Sequence, residues 1–320
     1  MFLSQKTFLA TALTISLFSS VTQACTGITL KSSDQAQIVA RTIEWGASKL
    51  QSQLIVSPRG RTVQTHSAKE QIMKYQTRLG FVGVSIFKEN IVVEGLNEKG
   101  LSAGLFFFPS YGQYPSYQEK NQNQTISDME FVAWILSNFD SVESVKKNLQ
   151  SIKLTALIPE AGTLHYRVAD KSGQQIVIEC VDGKMKIYDN LIGVLTNSPD
   201  FPWHVKNLNN YLNLQTGQIP AKQLGEITLQ PFGIGAGMVG LPGDISPTSR
   251  FVRAAYMQNS APKLKTAQEA TLYSFTILNS FEIPIGLELS HSKEETELLS
   301  ATQWTSSSDM TNRIFYYKTA

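Results

Sequence analysis

The sequence predicts an α+β fold whose strands pair mostly antiparallel. Short β-rich runs follow one another across turns of a few residues, as in "CTGITL" and "AQIVARTIEW" around "KSSDQ". Groups of such strands then give way to segments with apolar residues at helical spacing, so strand sets and helix pairs alternate along the chain. Strands joined by short turns also argue against a doubly wound nucleotide-binding sheet, whose parallel strands need long crossovers.

Residues Met1 to Ala24 read as a signal peptide. Lys6 is the only charge, an apolar stretch runs from Phe8 to about Val21, and Thr22-Gln23-Ala24 sets small residues at the cleavage positions. Thr11, Thr14, Ser16, Ser19 and Ser20 interrupt the stretch, which is shorter than the roughly 20 residues of a membrane span. The expectation is an exported protein, periplasmic or extracellular, with no integral membrane anchor. Residues 25–320 show no Pro/Ser linker, charge block or repeat and are expected to form one domain. The whole chain carries a net charge of +2 and the leader holds one lysine, so the remainder is nearly neutral and has no footprint for nucleic acid.

After the first hairpin, "QLIVS", "GFVGVSIF" and "NIVVEGL" continue as strands, and "NEKG" turns the chain into "LSAGLFFF". Ser127-Asp128 is placed to cap a helix through "MEFVAWILSNF", and a second begins at about Val142. Strands return at "TLHYRVAD", "QQIVIEC", "KMKIYD" and "IGVLT". Helices are expected in "FPWHVKNLNNYL", "TSRFVRAAYMQ" and "AQEATLYSFTILNSF", and "ATQWTSSSDM" with "RIFYYKT" closes the chain as a strand pair.

"GAGMVG", Gly235 to Gly240, matches the dinucleotide fingerprint, yet Pro231 precedes it and Leu241-Pro242-Gly243 follows it. No helix can open there, so it reads as a glycine-rich loop packed close to other backbone. His66, His165, His204 and His291 lack the spacing of a metal site and read as surface or structural histidines; no metal or cofactor is expected.

Of the two cysteines, Cys180 lies in a strand and reads as buried and reduced, with a Cys25–Cys180 bridge as the alternative. Cys25 follows the cleavage site directly. Cleavage after Ala24 would put a thiol and a free α-amine on one residue. Such an amine titrates near ~7.7–8.0 and can take the thiol's proton without a histidine. Lipid attachment is the competing reading, for a non-enzymatic envelope binding protein. It prefers Leu three residues before the cysteine, where this chain has Thr22. A Cys–His thiol hydrolase is the second enzymatic alternative.

"CTGITL" with "ARTIEW", "NEKGLSAGL", "GVLTNSPDFPWHVKNLNNY" and "GLPGDISPTSRFVRAA" together resemble the choloylglycine hydrolase family of bile salt hydrolases and penicillin V acylases. The resemblance implies an N-terminal nucleophile (Ntn) hydrolase fold, a four-layer αββα sandwich of two antiparallel sheets faced by helices. It implies hydrolysis of a linear non-peptide amide in a small-molecule N-acyl substrate, such as penicillin V, an N-acyl-homoserine lactone or a conjugated bile acid. By the same resemblance Cys25 is the nucleophile, Arg41 favours its thiolate, Asn197 donates to the oxyanion, and Arg250 adds positive charge near the amine and substrate. Homo-oligomers, tetramers among them, are also implied. Two positions depart from the family pattern. Glu44 stands where an aspartate is usual, and Phe106 stands where bile salt hydrolases have an asparagine, so a backbone N–H must donate there instead. Trp45, Phe106, Phe107 and Phe108 are candidates for an aromatic acyl pocket, although strand alternation should bury at least one of them.

Overall fold

The computed structural model describes residues 24–45, 49–287 and 299–319. Of the expected leader only Ala24 falls within them, and His291 lies outside them.

Two antiparallel sheets stack face to face. The first has four strands: β1 (Cys25–Lys31), β2 (Gln37–Glu44), Thr302–Asp309 and Ile314–Thr319, in that spatial order. The second has seven, ordered Lys184–Asp189, Gln175–Val181, Leu164–Asp170, Leu101–Phe107, Val92–Asn97, Phe81–Ile86 and Ser52–Ser57. Helices α1 (Phe131–Asn138) and α2 (Val142–Leu149) lie on the second sheet. α3 (Phe201–Asn207) is short, and α4 (Pro247–Asn259) and α5 (Ala267–Asn279) cover the first sheet. The layers therefore run αββα.

The helices start where the sequence offers caps. Ser141, Asp200, Ser246 and Thr266 each accept a backbone N–H from the first turn of their helix. α1 is apolar on nearly every side, and Phe131 to Ser137 are all buried, as such a helix must be. Two expected elements differ. Ser127 caps nothing: Asp128–Glu130 forms a 3₁₀ turn and α1 begins at Phe131. "IGVLT" is not a strand, because only Leu195 pairs, by a single bridge to Gly27 at the open edge of β1. The glycine-rich loop forms a 3₁₀ turn at Ile234–Met238, and of Gly235, Gly237 and Gly240 only Gly237 packs against other backbone.

The space between the sheets dictates two glycines. A Cβ on Gly27 would stand 2.8 Å from the Arg167 guanidinium and 2.9 Å from the Phe106 ring, so β1 approaches the second sheet only because "CTG" ends in glycine. A Cβ on Gly104 would overlap the Glu94 carboxylate. Gly104→Ala should therefore destabilise the protein by about 1–3 kcal/mol, since neither the strand nor the buried carboxylate can yield freely. Urea denaturation measures this, and an unchanged midpoint would show that the intersheet space is looser than described.

Candidate active site

Cys25 opens β1 at the edge of the first sheet and is 4% exposed. Its register partner on β2 is Ile43, which brings Glu44 opposite Ala24, and the Glu44 N–H donates to the Ala24 carbonyl at 2.9 Å. The Glu44 carboxylate is buried and accepts from Thr302 Oγ1 at 3.3 Å.

Asn197 and Arg250 arrive from elements far along the chain. The Cys25 N–H donates to Asn197 Oδ1 at 2.9 Å, and Arg250 Nη2 donates to the same oxygen at 2.8 Å. Arg250 Nη1 donates to the Cys25 carbonyl and to Thr26 Oγ1, and its Nε to the Ile245 carbonyl. Asn197 Nδ2 donates to the Phe107 carbonyl at 2.8 Å. Two donors on one atom and an acceptor on the other fix the orientation of the Asn197 amide.

Arg41 projects from β2 into the space between the sheets. Its Nη1 donates to the Leu105 and Val93 carbonyls and lies 3.6 Å from Glu94 Oε2, and its guanidinium sits 4.0 Å over the Phe106 ring. Glu94 also faces Arg167 at 3.5 Å and accepts from Ser102 Oγ. Two buried guanidiniums thus share one buried carboxylate; carbonyl oxygens accept from Arg41 Nε and Nη1 and from Arg167 Nη1, while the Nη2 of each arginine makes no hydrogen bond.

Burial pushes the Cys25 thiol above its ordinary value. Arg41, Arg250 and a hydrogen bond from the Phe107 backbone N–H pull it down, while Glu44 adds to the rise. The effect expected of Arg41 is present in sign, and desolvation outweighs it. Cys180 is also free and buried; burial, Asp128 and Glu179 push its thiol up to about 12. No group of three or more His, Cys, Asp or Glu side chains able to hold a metal occurs among the described residues.

The five expected catalytic residues, Cys25, Arg41, Glu44, Asn197 and Arg250, are therefore gathered around one thiol. The expected aromatic pocket is cut down. Strand alternation turns Phe106 toward the first sheet, where it is fully buried under Arg41, and Phe108 is fully buried and stacked on His165 at 4.5 Å. Trp45 and Phe107 keep partial exposure, Trp45 edge-on to the exposed Phe87. The N–H that the sequence requires in place of an asparagine side chain has a candidate in Phe107, one residue beyond Phe106.

A family model for linear amide C–N hydrolases of the choloylglycine hydrolase family matches residues 25–320. The chain belongs to the choloylglycine hydrolase family. It is a hydrolase of C–N bonds in linear amides. A bile salt hydrolase/transferase of Clostridium perfringens is 35% identical over 300 residues, 92% of this chain and 89% of the relative. A solved conjugated bile acid hydrolase from the same organism superposes with a TM-score of 0.78 at 32% identity, over 92% of this chain and 89% of that one. A penicillin V acylase from Agrobacterium tumefaciens superposes at 0.71 with 25% identity, over 92% and 83%. The αββα layers are thus the Ntn hydrolase fold.

Reading for single motifs gave no role to two buried histidines beside Asn197. His165 and His204 are fully buried, whereas His66 is half-exposed beside Glu130. Burial lowers His204 from 6.5 to about 4, so its ring is neutral at pH 7. Between those values the unfolded chain binds a proton that the folded chain refuses. Its contribution is therefore complete above pH ~6.5 and is lost as the pH falls, by on the order of 3 kcal/mol near pH 4. Urea midpoints across this range should fall more steeply for the wild type than for His204→Phe, and parallel slopes would place the acid sensitivity elsewhere.

Proposed function

We propose that this protein is exported, loses residues 1–24, and cleaves N-acyl amides through an acyl-thioester on Cys25. The observation that carries the reading is the convergence of Asn197 and Arg250 on the Cys25 nitrogen and carbonyl, 172 and 225 residues away in sequence. The family match begins at Cys25 itself, which agrees with a chain that works from that residue.

A thiol raised by burial is a weak nucleophile without a base. In the processed chain the Cys25 α-amine takes the thiol proton as sulfur attacks the amide carbon. The oxyanion forms against the Asn197 N–H that is not committed to the Phe107 carbonyl and against the Phe107 backbone N–H, which bonds the thiol in the free site. The C–N bond breaks as the ammonium proton passes to the leaving nitrogen. Water then adds to the thioester, giving its proton to the same amine, and the carboxylic acid departs as the Cys25 thiol reforms. Arg250 and Asn197 Oδ1 orient the amine, and Arg41 supplies positive potential to the thiolate.

The substrate classes are those of an aromatic-acyl penicillin, a long-chain acyl-homoserine lactone and a conjugated bile acid. With Phe106 buried, Trp45 and Phe107 are the aromatic side chains left to meet an acyl group. Lipid attachment would require a sulfur buried at the head of β1 to carry a bulky acylglyceryl group, so the anchored binding protein is the weaker reading.

Protein beginning at Cys25, assayed for amine release from penicillin V, glycocholate and a long-chain acyl-homoserine lactone, should cleave at least one of them. Cys25→Ala should lose that turnover by several orders of magnitude; a fully active variant would sink the mechanism. Intact mass of the exported protein should show an unmodified Cys25 terminus, and added acyl mass would instead support the anchor. A homo-oligomer belongs to the same reading, with the exposed Leu224, Ile227, Phe232, Ile234 and Val239 as the surface that a second copy covers. Light scattering on the eluting protein should show more than one protomer, and a monomer would remove this part of the proposal.

A further inference from the structure

Asn197 lies in an irregular segment, Thr196 to Ser198, that belongs to no sheet ladder. Carbonyls in such a segment need partners from side chains or water. Two histidines provide them here. His165 Nε2 lies 3.0 Å from the Thr196 carbonyl, and its Nδ1 lies 3.0 Å from Glu179 Oε1. That carboxylate oxygen also accepts the Phe201 N–H that opens α3. His204 Nε2 lies 2.9 Å from the Asn197 carbonyl, and only a protonated Nε2 can donate to it. The His204 ring stacks on Phe251 at 4.6 Å and 14°.

Phe251 is the neighbour of Arg250 on α4. One helix therefore references Asn197 twice. Arg250 holds its side-chain oxygen, and Phe251 orients the histidine that holds its main-chain oxygen. Rotation of the Asn197 backbone would swing the amide away from Cys25, and a donor near a reacting centre loses about 10²-fold in rate for a 1 Å displacement. Neither histidine touches the thiol. Arg41 and the Phe107 N–H, which act on it, reach it from other elements.

We propose that His204 is a positioning residue for amide hydrolysis, holding the Asn197 carbonyl while the His165–Glu179 pair braces the preceding one. This rests on the Cys25 mechanism above. It also assigns a task to a histidine that sequence reading leaves as structural filler, without making it the base.

Two substitutions separate positioning from packing. His204→Phe keeps a ring to stack on Phe251 and removes the donor. His204→Gln loses the stack and returns an N–H at the reach of Nε2. In the processed protein, kcat for whichever of the three substrates the wild type cleaves should fall 10- to 100-fold in His204→Phe, with KM little changed. His204→Gln should recover most of the loss. Iodoacetamide alkylation of Cys25, which uses the thiolate and no oxyanion donor, should fall much less than kcat in His204→Phe. The opposite order, with Phe active and Gln impaired, would make His204 a packing residue and overturn the proposal, as would a kcat loss matched by lost alkylation. If His204→Phe does not fold, His204→Met, equally without a donor, replaces it. Cys25→Ser run alongside tests the underlying mechanism. Should the wild type cleave none of the substrates, that mechanism fails, and crystal structures decide the positioning role by themselves. Asn197 shifted from the Cys25 nitrogen in His204→Phe supports it, and Asn197 in place overturns it.

Discussion

A single side-chain amide ties the site together. Asn197 accepts from the nitrogen of Cys25 and from Arg250, and donates to the end of the Leu101–Phe107 strand. It thereby joins the first strand of one sheet, a central strand of the other and the helix covering the first. Cys25, Arg250 and Asn197 itself are buried, so a hydrogen bond lost between them would leave a desolvated polar group with no water to replace it. That cost is what makes the arrangement of Cys25 definite.

The second constraint is charge burial. Arg41, Arg167 and Arg250 are almost wholly excluded from solvent, and Glu94 is the carboxylate placed between the first two. Ions in such surroundings are costly to bury, and backbone carbonyls of both sheets offset part of that cost by accepting from Arg41 and Arg167, whose Nη2 groups are left with only the Glu94 charge nearby. The sheets cannot slide over one another without unpairing those groups. Phe106 completes the packing by presenting its ring face to Arg41. An aromatic residue that looks like a missing oxyanion donor in the sequence is, in the fold, a support for the arginine beside Cys25.

These constraints shape the chemistry through desolvation. The pocket that excludes water from Cys25 raises its thiol, and the positive groups around it only partly offset that rise. Among the described residues, both buried histidines point at carbonyls of the Asn197 segment and neither is offered to the thiol as a base. The proposed mechanism therefore takes its base from the α-amine of Cys25 itself.

Much was legible along the chain. Alternation and turn residues marked the strands, apolar residues at helical spacing marked the helices, and the blocks around Cys25, Arg41, Asn197 and Arg250 indicated the family. The exceptions have physical causes. "IGVLT" reads as a strand by its residues, yet it passes the edge of β1 where only Leu195 finds a ladder partner. Phe106, Phe107 and Phe108 form one aromatic run, and only the strand's alternation decides which ring faces Arg41 and which keeps a share of solvent. His165 and His204 carry no motif, because a hydrogen bond to a carbonyl leaves no spacing to find. By itself the sequence determined the local elements and the residue types of the site. Only the tertiary structure decided their meeting, since an amide, a guanidinium and a thiol find one another through the stacking of sheets and not through any distance along the chain.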